Sequence, residues 1–331
     1  MELRQLRYFV RIVELGGLSR AAADLYIAQP ALSQQLANLE AELGVRLLNR
    51  SARGVTPTEA GNTLYRHAQA AMRLVDRIRT DVQHAGDSPA GVVSLGMPTS
   101  VANILAAPLV AAVRTTLPDV RLQITESLSG HLAEQVATGR IEMTLLFERH
   151  DANDRAVTLR KQSPHLDVRP LLVEELFLLT AGDGPFGAPV TLAEAAAWPL
   201  ILPGRVNATR QIIDEAFAQA GLRVDVVAEL DSLATIKSVV AGGHGATILS
   251  ASALAGASPV AGVVARRITD STLSRLVSLC TYDIGALSSA AVRVSELVLQ
   301  VGMALVHDGT WVGARALLGE TDTAAADSSG P

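Results

Sequence analysis

The sequence predicts a mainly α N-terminal domain, a long linking helix, and an α/β domain made of two successive series of strands and helices. Three observations carry this. Apolar residues recur at steps of three and four through most of residues 1–83, the period of helices packed on one face. Beyond Gly91, short apolar runs such as "GVVSLGMP" and "IEMTLLF" alternate with amphipathic stretches, which implies βαβ units and a parallel sheet. A chain of 331 residues with 49% hydrophobic composition is long enough to bury several cores.

In the first domain, Leu6, Phe9, Val10 and Val13 define a helix that Gly16 and Gly17 terminate. Ser19 stands where an N-cap belongs, ahead of the short Ala-rich helix "RAAADL". A brief link leads to Gln29 and Pro30, and proline suits a first helical turn because its missing N–H has no intrahelical partner. From there Leu32, Leu36, Leu39 and Leu43 form one apolar stripe and leave Ser33, Gln34, Gln35 and Asn38 outside it. Two short helices with a tight link read as a helix-turn-helix. The first residues of its second helix would meet base edges in the major groove, where Gln and Ser can donate and accept hydrogen bonds. A plain solvated face of a helical hairpin is the alternative.

Leu47-Leu48, an Arg53-Gly54 turn and Val55 read as a small β-wing, with Arg50 and Arg53 placed for phosphate or the minor groove. Thr56-Pro57-Thr58-Glu59 offers an N-cap, a proline at N1 and a glutamate at N3. The helix it starts carries Leu64, Ala68, Ala71, Val75, Ile78 and Val82 as a heptad seam, whose partner would be a second copy of itself or the chain's own domain. Residues 86–91, "GDSPAG", read as a hinge.

Charge sharpens these readings little. Net charge is −5; residues 1–90 hold 11 Arg against 9 Asp and Glu, and the remainder holds 17 basic against 24 acidic residues. The single cysteine, Cys280, excludes an intramolecular disulfide and multi-cysteine zinc sites, and it suits a reducing cytoplasm and a buried, inert thiol. The N-terminus lacks the apolar run of a signal peptide. The stretch 239–265 lacks Asp, Glu, Lys and Arg but is rich in Gly, Ser and Ala, with Pro259 inside it, so it reads as buried helix, strand and loop instead of a membrane span. No Walker motif, G-x-S-x-G or H-E-x-x-H occurs. "GGHGAT" lacks the third glycine of a dinucleotide fingerprint, and His244 reads as a local structural residue. Nothing in the sequence asks for enzyme chemistry, a metal or a cofactor.

In the second half, the expected elements are strands at 91–98, 120–125 and 141–147 with helices at 104–116 and 131–138, then strands at 171–180, 199–204, 223–230 and 245–250 with helices at 192–197, 208–220 and 233–241. The segment between Phe147 and Leu171 reads as a mobile surface loop, and "GETDTAAADSSGP" as a disordered tail.

Together, the Ala-rich helix, "QPALSQQLANLEAELGVRLLNR", "RGVTPTEAG" and the long helix after them resemble the N-terminal domain of LysR-type transcriptional regulators. Through "IAQPALSQQ" and "ITES" the chain most resembles the nitrogen assimilation control type. The resemblance covers residues 1 to about 310. It implies a winged helix-turn-helix domain at 1–58 and a linker and dimerisation helix at 59–88. It further implies a two-lobed α/β effector domain similar to type 2 periplasmic binding proteins, with one lobe from 89–167 and 268–310 and the other from 168–267, leaving 311–331 as a disordered tail. Two departures stand out: Glu142 where the family often has Asp, and Ser250 where a proline commonly closes the glycine-rich segment.

The resulting expectation is a cytoplasmic regulator, a homodimer or homotetramer, that binds double-stranded DNA at dyad-related half-sites through Ser19, Gln29, Pro30, Ser33, Gln34, Arg50, Arg53 and Thr56. A small anionic effector would sit at the carboxyl ends of strands, lined by Thr99 and Ser100 ahead of a helix, Ser129, and Asn207 from the other lobe. Ordinary helix capping is the alternative role of those side chains. The competing reading is a small-molecule binding protein whose N-terminal helices serve assembly alone.

Overall fold

The computed structural model describes residues 1–51, 54–83, 89–150, 166–184, 186–255, 262–269, 273–282 and 287–317. The chain forms two compact units, the first drawn almost wholly from Met1–Asp87.

In the first unit, α1 (Leu3–Leu15), α2 (Leu18–Asp24) and α3 (Gln29–Leu43) precede a hairpin of β1 (Leu48–Ser51) and β2 (Gly54–Pro57) and then α4 (Glu59–Gln83). Phe9, Ile12, Ala21, Leu32, Leu36, Leu39 and Leu47 share one core, each large side chain contributing about 1.5–3 kcal/mol by leaving water. Leu43, the last of the expected stripe, is instead 39% exposed, because Gly44 turns the chain away at φ 69°. Ser19 is not an N-cap: α2 starts two residues earlier, at Leu18, with Gly17 in that place. Nor does Thr56 start α4. Thr56 belongs to β2, opposite Asn49, and it is Thr58 whose Oγ1 accepts the Gly61 N–H at 3.0 Å. The helix cannot begin sooner because Thr58 N–H donates to the Leu47 carbonyl, tying the strand to the chain before β1. A Cβ at Gly61 would lie 2.0 Å from that same oxygen.

The second unit opens with β3 (Gly91–Met97), α5 (Thr99–Thr116), β4 (Val120–Glu126), α6 (Ser129–Ala137) and β5 (Met143–Glu148). Here β3 pairs in parallel with both β4 and β5. The expected parallel pairing breaks off there and resumes further on, between residues 199–202 and 225–229. A single 16-residue strand, β6 (Leu166–Ala181), pairs antiparallel with β11 (Ser274–Tyr282) along its first part and with β9 (Thr247–Ser250) and β10 (Val263–Arg267) along its second. Strand β6 runs unbroken from one lobe into the other, so residues 166–170 are strand and not loop; residues 151–165 lie outside the described part.

The second lobe adds α7 (Leu192–Ala196), β7 (Pro199–Leu202), α8 (Ala208–Gln219), β8 (Asp225–Glu229) and α9 (Leu233–Ala241). Alternation along β6 builds its two cores: Leu176 and Leu178 pack with Leu200, Ile213 and Phe217, while Phe177 and Leu179 pack with Ile236, Val240 and Val263. Glycine is required at 245, where φ is 154° and a Cβ would lie 2.6 Å from the Pro199 carbonyl. That backbone approach accounts for the glycine-rich run. Its neighbour His244 is exposed.

The charge-free stretch 239–265 is the end of α9, then β9, a 3-10 turn (Ala251–Leu254) and the start of β10, apart from residues 256–261, which are not described. Helix α10 (Ser289–His307) has the length and composition of a span, and it packs along α5 and β3 with Ala291, Val294 and Val298 buried. Residues 311–317, expected to open a disordered tail, are ordered. Trp311 is buried and β12 (Ala314–Ala316) pairs with β6, because the indole finds both a core and a hydrogen-bond acceptor; residues 318–331 are not described.

Candidate nucleic-acid interface and effector cleft

Helix α3 presents an uncharged polar face. Gln29, Pro30 and Gln34 are exposed and Ser33 is half-buried. Ser19 Oγ donates to Gln29 Oε1 at 3.2 Å, so a residue of α2 holds the first side chain of α3 across the turn. Gln34 Nε2 donates to Asn38 Oδ1 at 2.9 Å, one turn along the same face. These amides keep further donors and acceptors for a partner. Arg50 stands exposed on β1, opposite Val55, and Thr56 is exposed on β2. Arg53 lies outside the described residues. The wing is anchored to two helices: Val55 N–H donates to the carbonyl of Gly16, which closes α1, at 3.0 Å, and the Glu40 carboxylate on α3 accepts from Leu47 N–H at 2.7 Å.

Along α4 the seam divides. Leu64 and Ala71 pack with Leu6, Val10 and the fully buried Ala68, against the chain's own first helix. Val75 is half-buried and Ile78 is 52% exposed; the side chain of Val82 is not described. The N-terminal part of the seam therefore has an intrachain partner, and among its described residues Ile78 is the most exposed.

In the second unit, Thr99 and Ser100 do not precede the helix but are its first two residues, since α5 begins a full turn earlier than expected. Ser100 Oγ accepts from Arg275 Nη2 at 3.0 Å. The same guanidinium donates to Thr209 Oγ1 at 2.7 Å, to Ser250 Oγ at 2.8 Å, and to Glu174 Oε2 from Nε at 2.9 Å and Nη2 at 2.7 Å. It lies 3.4 Å over the Phe147 ring. Burial works against its charge, and the Glu174 carboxylate opposes that. Glu174 is completed by Trp311 Nε1 at 2.9 Å and by Ser252 Oγ at 2.5 Å. Asn207 is the N-cap of α8, its Oδ1 accepting from Thr209 N–H. Ser129 opens α6 and is half-buried. Thus Ser100 and the residue next but one to Asn207 meet through Arg275, a residue that sequence reasoning did not single out; an arginine in a short apolar strand was the available signal.

None of the four expected effector residues lines the large groove of about 1720 Å³ elsewhere in this unit, where Arg149, Phe186, Glu215, Arg267 and Arg315 lie. Glu142, the departure from the family's aspartate, exchanges hydrogen bonds with Ser94: its carboxylate accepts Ser94 N–H and its own N–H donates to Ser94 Oγ, both at 3.0 Å. Cys280 is buried, and burial first, then Glu148 and Asp167, push its thiol well above the ordinary range.

An exposed polar recognition helix with a wing, followed by a two-lobed α/β domain, defines a DNA-binding regulator with a ligand-binding type of second domain. Residues 3–62 match the bacterial regulatory helix-turn-helix proteins of the lysR family, and residues 86–302 match the LysR substrate binding domain. The chain belongs to the LysR family and is a transcriptional regulator, not an enzyme. It is 38% identical over 304 residues to the nitrogen assimilation regulatory protein nac of Klebsiella aerogenes, covering 91% of this chain and 95% of that one. To the nac protein of Escherichia coli K12 it is 36% identical over the same shares. Its fold is that of a full-length OxyR variant from Pseudomonas aeruginosa (TM-score 0.68, 23% identity, 91% and 94% covered) and of full-length CbnR complexed with its target DNA (TM-score 0.62, 24% identity, 91% and 100% covered).

Proposed function

We propose that this regulator reads promoter DNA with the first residues of α3, Gln29, Pro30, Ser33 and Gln34, oriented by Ser19, while Arg50, Arg53 and Thr56 on the wing contact phosphate or the minor groove. The observation that carries this is the uncharged, hydrogen-bonding face of α3, held in place by the Ser19–Gln29 contact. Two chains pair through the later part of the α4 seam, chiefly Val75, Ile78 and Val82, and present two recognition helices to dyad-related half-sites; two such pairs would give a tetramer. The working division is 1–58 for DNA, 59–88 for pairing, and 89–317 for the two lobes, which share β6.

A small anionic effector suits the strand ends at Thr99, Ser100, Ser129 and Asn207. Ser100 and Asn207 accept hydrogen bonds within the chain and retain an O–H and an amide N–H to donate to an acid. The similarity to nac proteins supports control of genes in nitrogen or amino-acid metabolism, and the family's role in transcription supports a cytoplasmic location. A gel shift with DNA from upstream of the chain's own gene tests the reading: a discrete, salt-sensitive complex that unrelated DNA does not compete away is expected. Equal binding to any duplex would overturn promoter recognition.

A further inference from the structure

Tyr26 is the one non-glycine residue at positive φ among the described residues, at 55°, and 95% of its surface is exposed. It follows Leu25, the residue that closes α2. Ile27 N–H donates to the Ala22 carbonyl at 3.0 Å and Tyr26 N–H donates to the Ala23 carbonyl at 3.3 Å, the paired bonds that close a helix through a left-handed residue. Glycine is the residue of choice there, since a Cβ crowds the backbone in the left-handed region. The two neighbouring helices obey this preference: α1 ends at Gly16 with φ 62° and α3 at Gly44 with φ 69°. At the end of α2, a large aromatic side chain replaces glycine, and a ring so exposed has little packing to offset the strain. Its value to the protein must lie in a partner.

Tyr26 stands in the turn of the helix-turn-helix, three residues before Gln29. In such motifs the first residues of the second helix reach base edges, and groups just outside the groove meet the sugar-phosphate backbone. We infer that Tyr26 is a DNA-backbone contact whose hydroxyl donates to a phosphate oxygen beside the groove that α3 enters. The nearby N-terminus of α3, the positive end of its dipole, favours the same phosphate. The inference rests on α3 being the recognition helix.

Full-length protein carrying Tyr26→Gly or Tyr26→Phe tests it, by fluorescence anisotropy on promoter DNA and on a random duplex of equal length, alongside thermal unfolding. Tyr26→Gly should unfold at the same or a higher temperature and yet bind both duplexes about tenfold more weakly, as for loss of one hydrogen bond to a charged oxygen. Tyr26→Phe, which keeps the ring and the strain, should lose a similar factor. Because tyrosine is neutral, the salt dependence should stay as in the unaltered protein, unlike that of an arginine variant. Wild-type affinity in both variants would overturn the inference. So would a lowered unfolding temperature with Tyr26→Gly while Tyr26→Phe binds normally, which would mark a structural role, or a loss confined to promoter DNA, which would mark a base contact. If Gln34→Ala weakens both duplexes equally while the Tyr26 variants lose affinity as stated, it is the α3 reading that fails.

Discussion

Glu174 and Arg275 face each other as a registered cross-strand pair between β6 and β11, 2.7 Å apart, with side chains 0% and 2% exposed. The pair sits where β6 leaves the first lobe for the second, and its hydrogen bonds reach Ser100 on α5, Thr209 on α8, Ser250 on β9 and Trp311. One ionic centre therefore ties both lobes. It also holds a carboxylate of the chain itself within reach of a residue that was expected to meet an anionic effector. Where the family commonly has proline, Ser250 supplies one of the acceptors.

Removing one partner strands a charge in the interior. Glu174→Ala or Arg275→Ala should destabilise the second unit by about 3–5 kcal/mol, whereas replacing both residues with alanine should cost less than the sum of the single changes. Urea unfolding of the four proteins measures this. Acetate should partly restore the Tm of Glu174→Ala and leave the unaltered protein unmoved. A cost below about 1 kcal/mol, typical of exposed pairs, would mean that water reaches the guanidinium.

Base reading and backbone holding separate by their response to sequence and salt. Gln34→Ala should cost about 1–3 kcal/mol on promoter DNA and little on random DNA. Arg50→Ala should weaken both and lower the salt slope by about one. Equal losses on both DNAs for Gln34→Ala would remove it from the base-reading set.

Val75 is half-buried within the chain, and Ile78, one turn further along, is 52% exposed. A charge at Val75 would be desolvated against a paired chain, so Val75→Asp should sediment as a smaller species and lose its operator complex. Ala68→Asp is the contrast: that side chain is packed inside its own domain, and its substitution should unfold the winged unit. An unchanged oligomer for Val75→Asp would place the pairing surface elsewhere.

At Gly61 the objection to a side chain is steric. With the Leu47 carbonyl 2.0 Å from where a Cβ would be built, Gly61→Ala must shift α4 from the wing and should lower stability by about 1–3 kcal/mol, read as a lower Tm and weaker DNA binding together. Cys280 supplies an independent probe of the second unit. Buried and held protonated, it should react with a thiol reagent only upon unfolding.

Local chemistry made the first unit readable in advance. Leu32, Leu36 and Leu39 recur with the helical period, Pro30 sits in a first turn and Gly16 ends a helix, so these elements are declared by residues adjacent in sequence. The wing was legible for the same reason. Capping was less so, because Thr56 and Thr58 are chemically alike and only the bond from Thr58 N–H to the Leu47 carbonyl, eleven residues back, assigns one to the strand and the other to the helix.

The second unit shows where such reading ends. Its strands and helices announced themselves by apolar runs and alternation, but an apolar run does not state its direction relative to a neighbour. Only tertiary pairing made β6 one antiparallel strand shared by both lobes. Likewise the sequence determined that Leu64, Ala68 and Ala71 would be covered, and the fold decided that α1 covers them. Arg275 is the clearest case: the apolar residues beside it hint at burial, but nothing near it names what would satisfy its charge, since its partners lie at positions 100, 174, 209 and 250. A buried charge is stable only where distant chain segments converge to satisfy it, and that convergence is a property of the folded backbone alone.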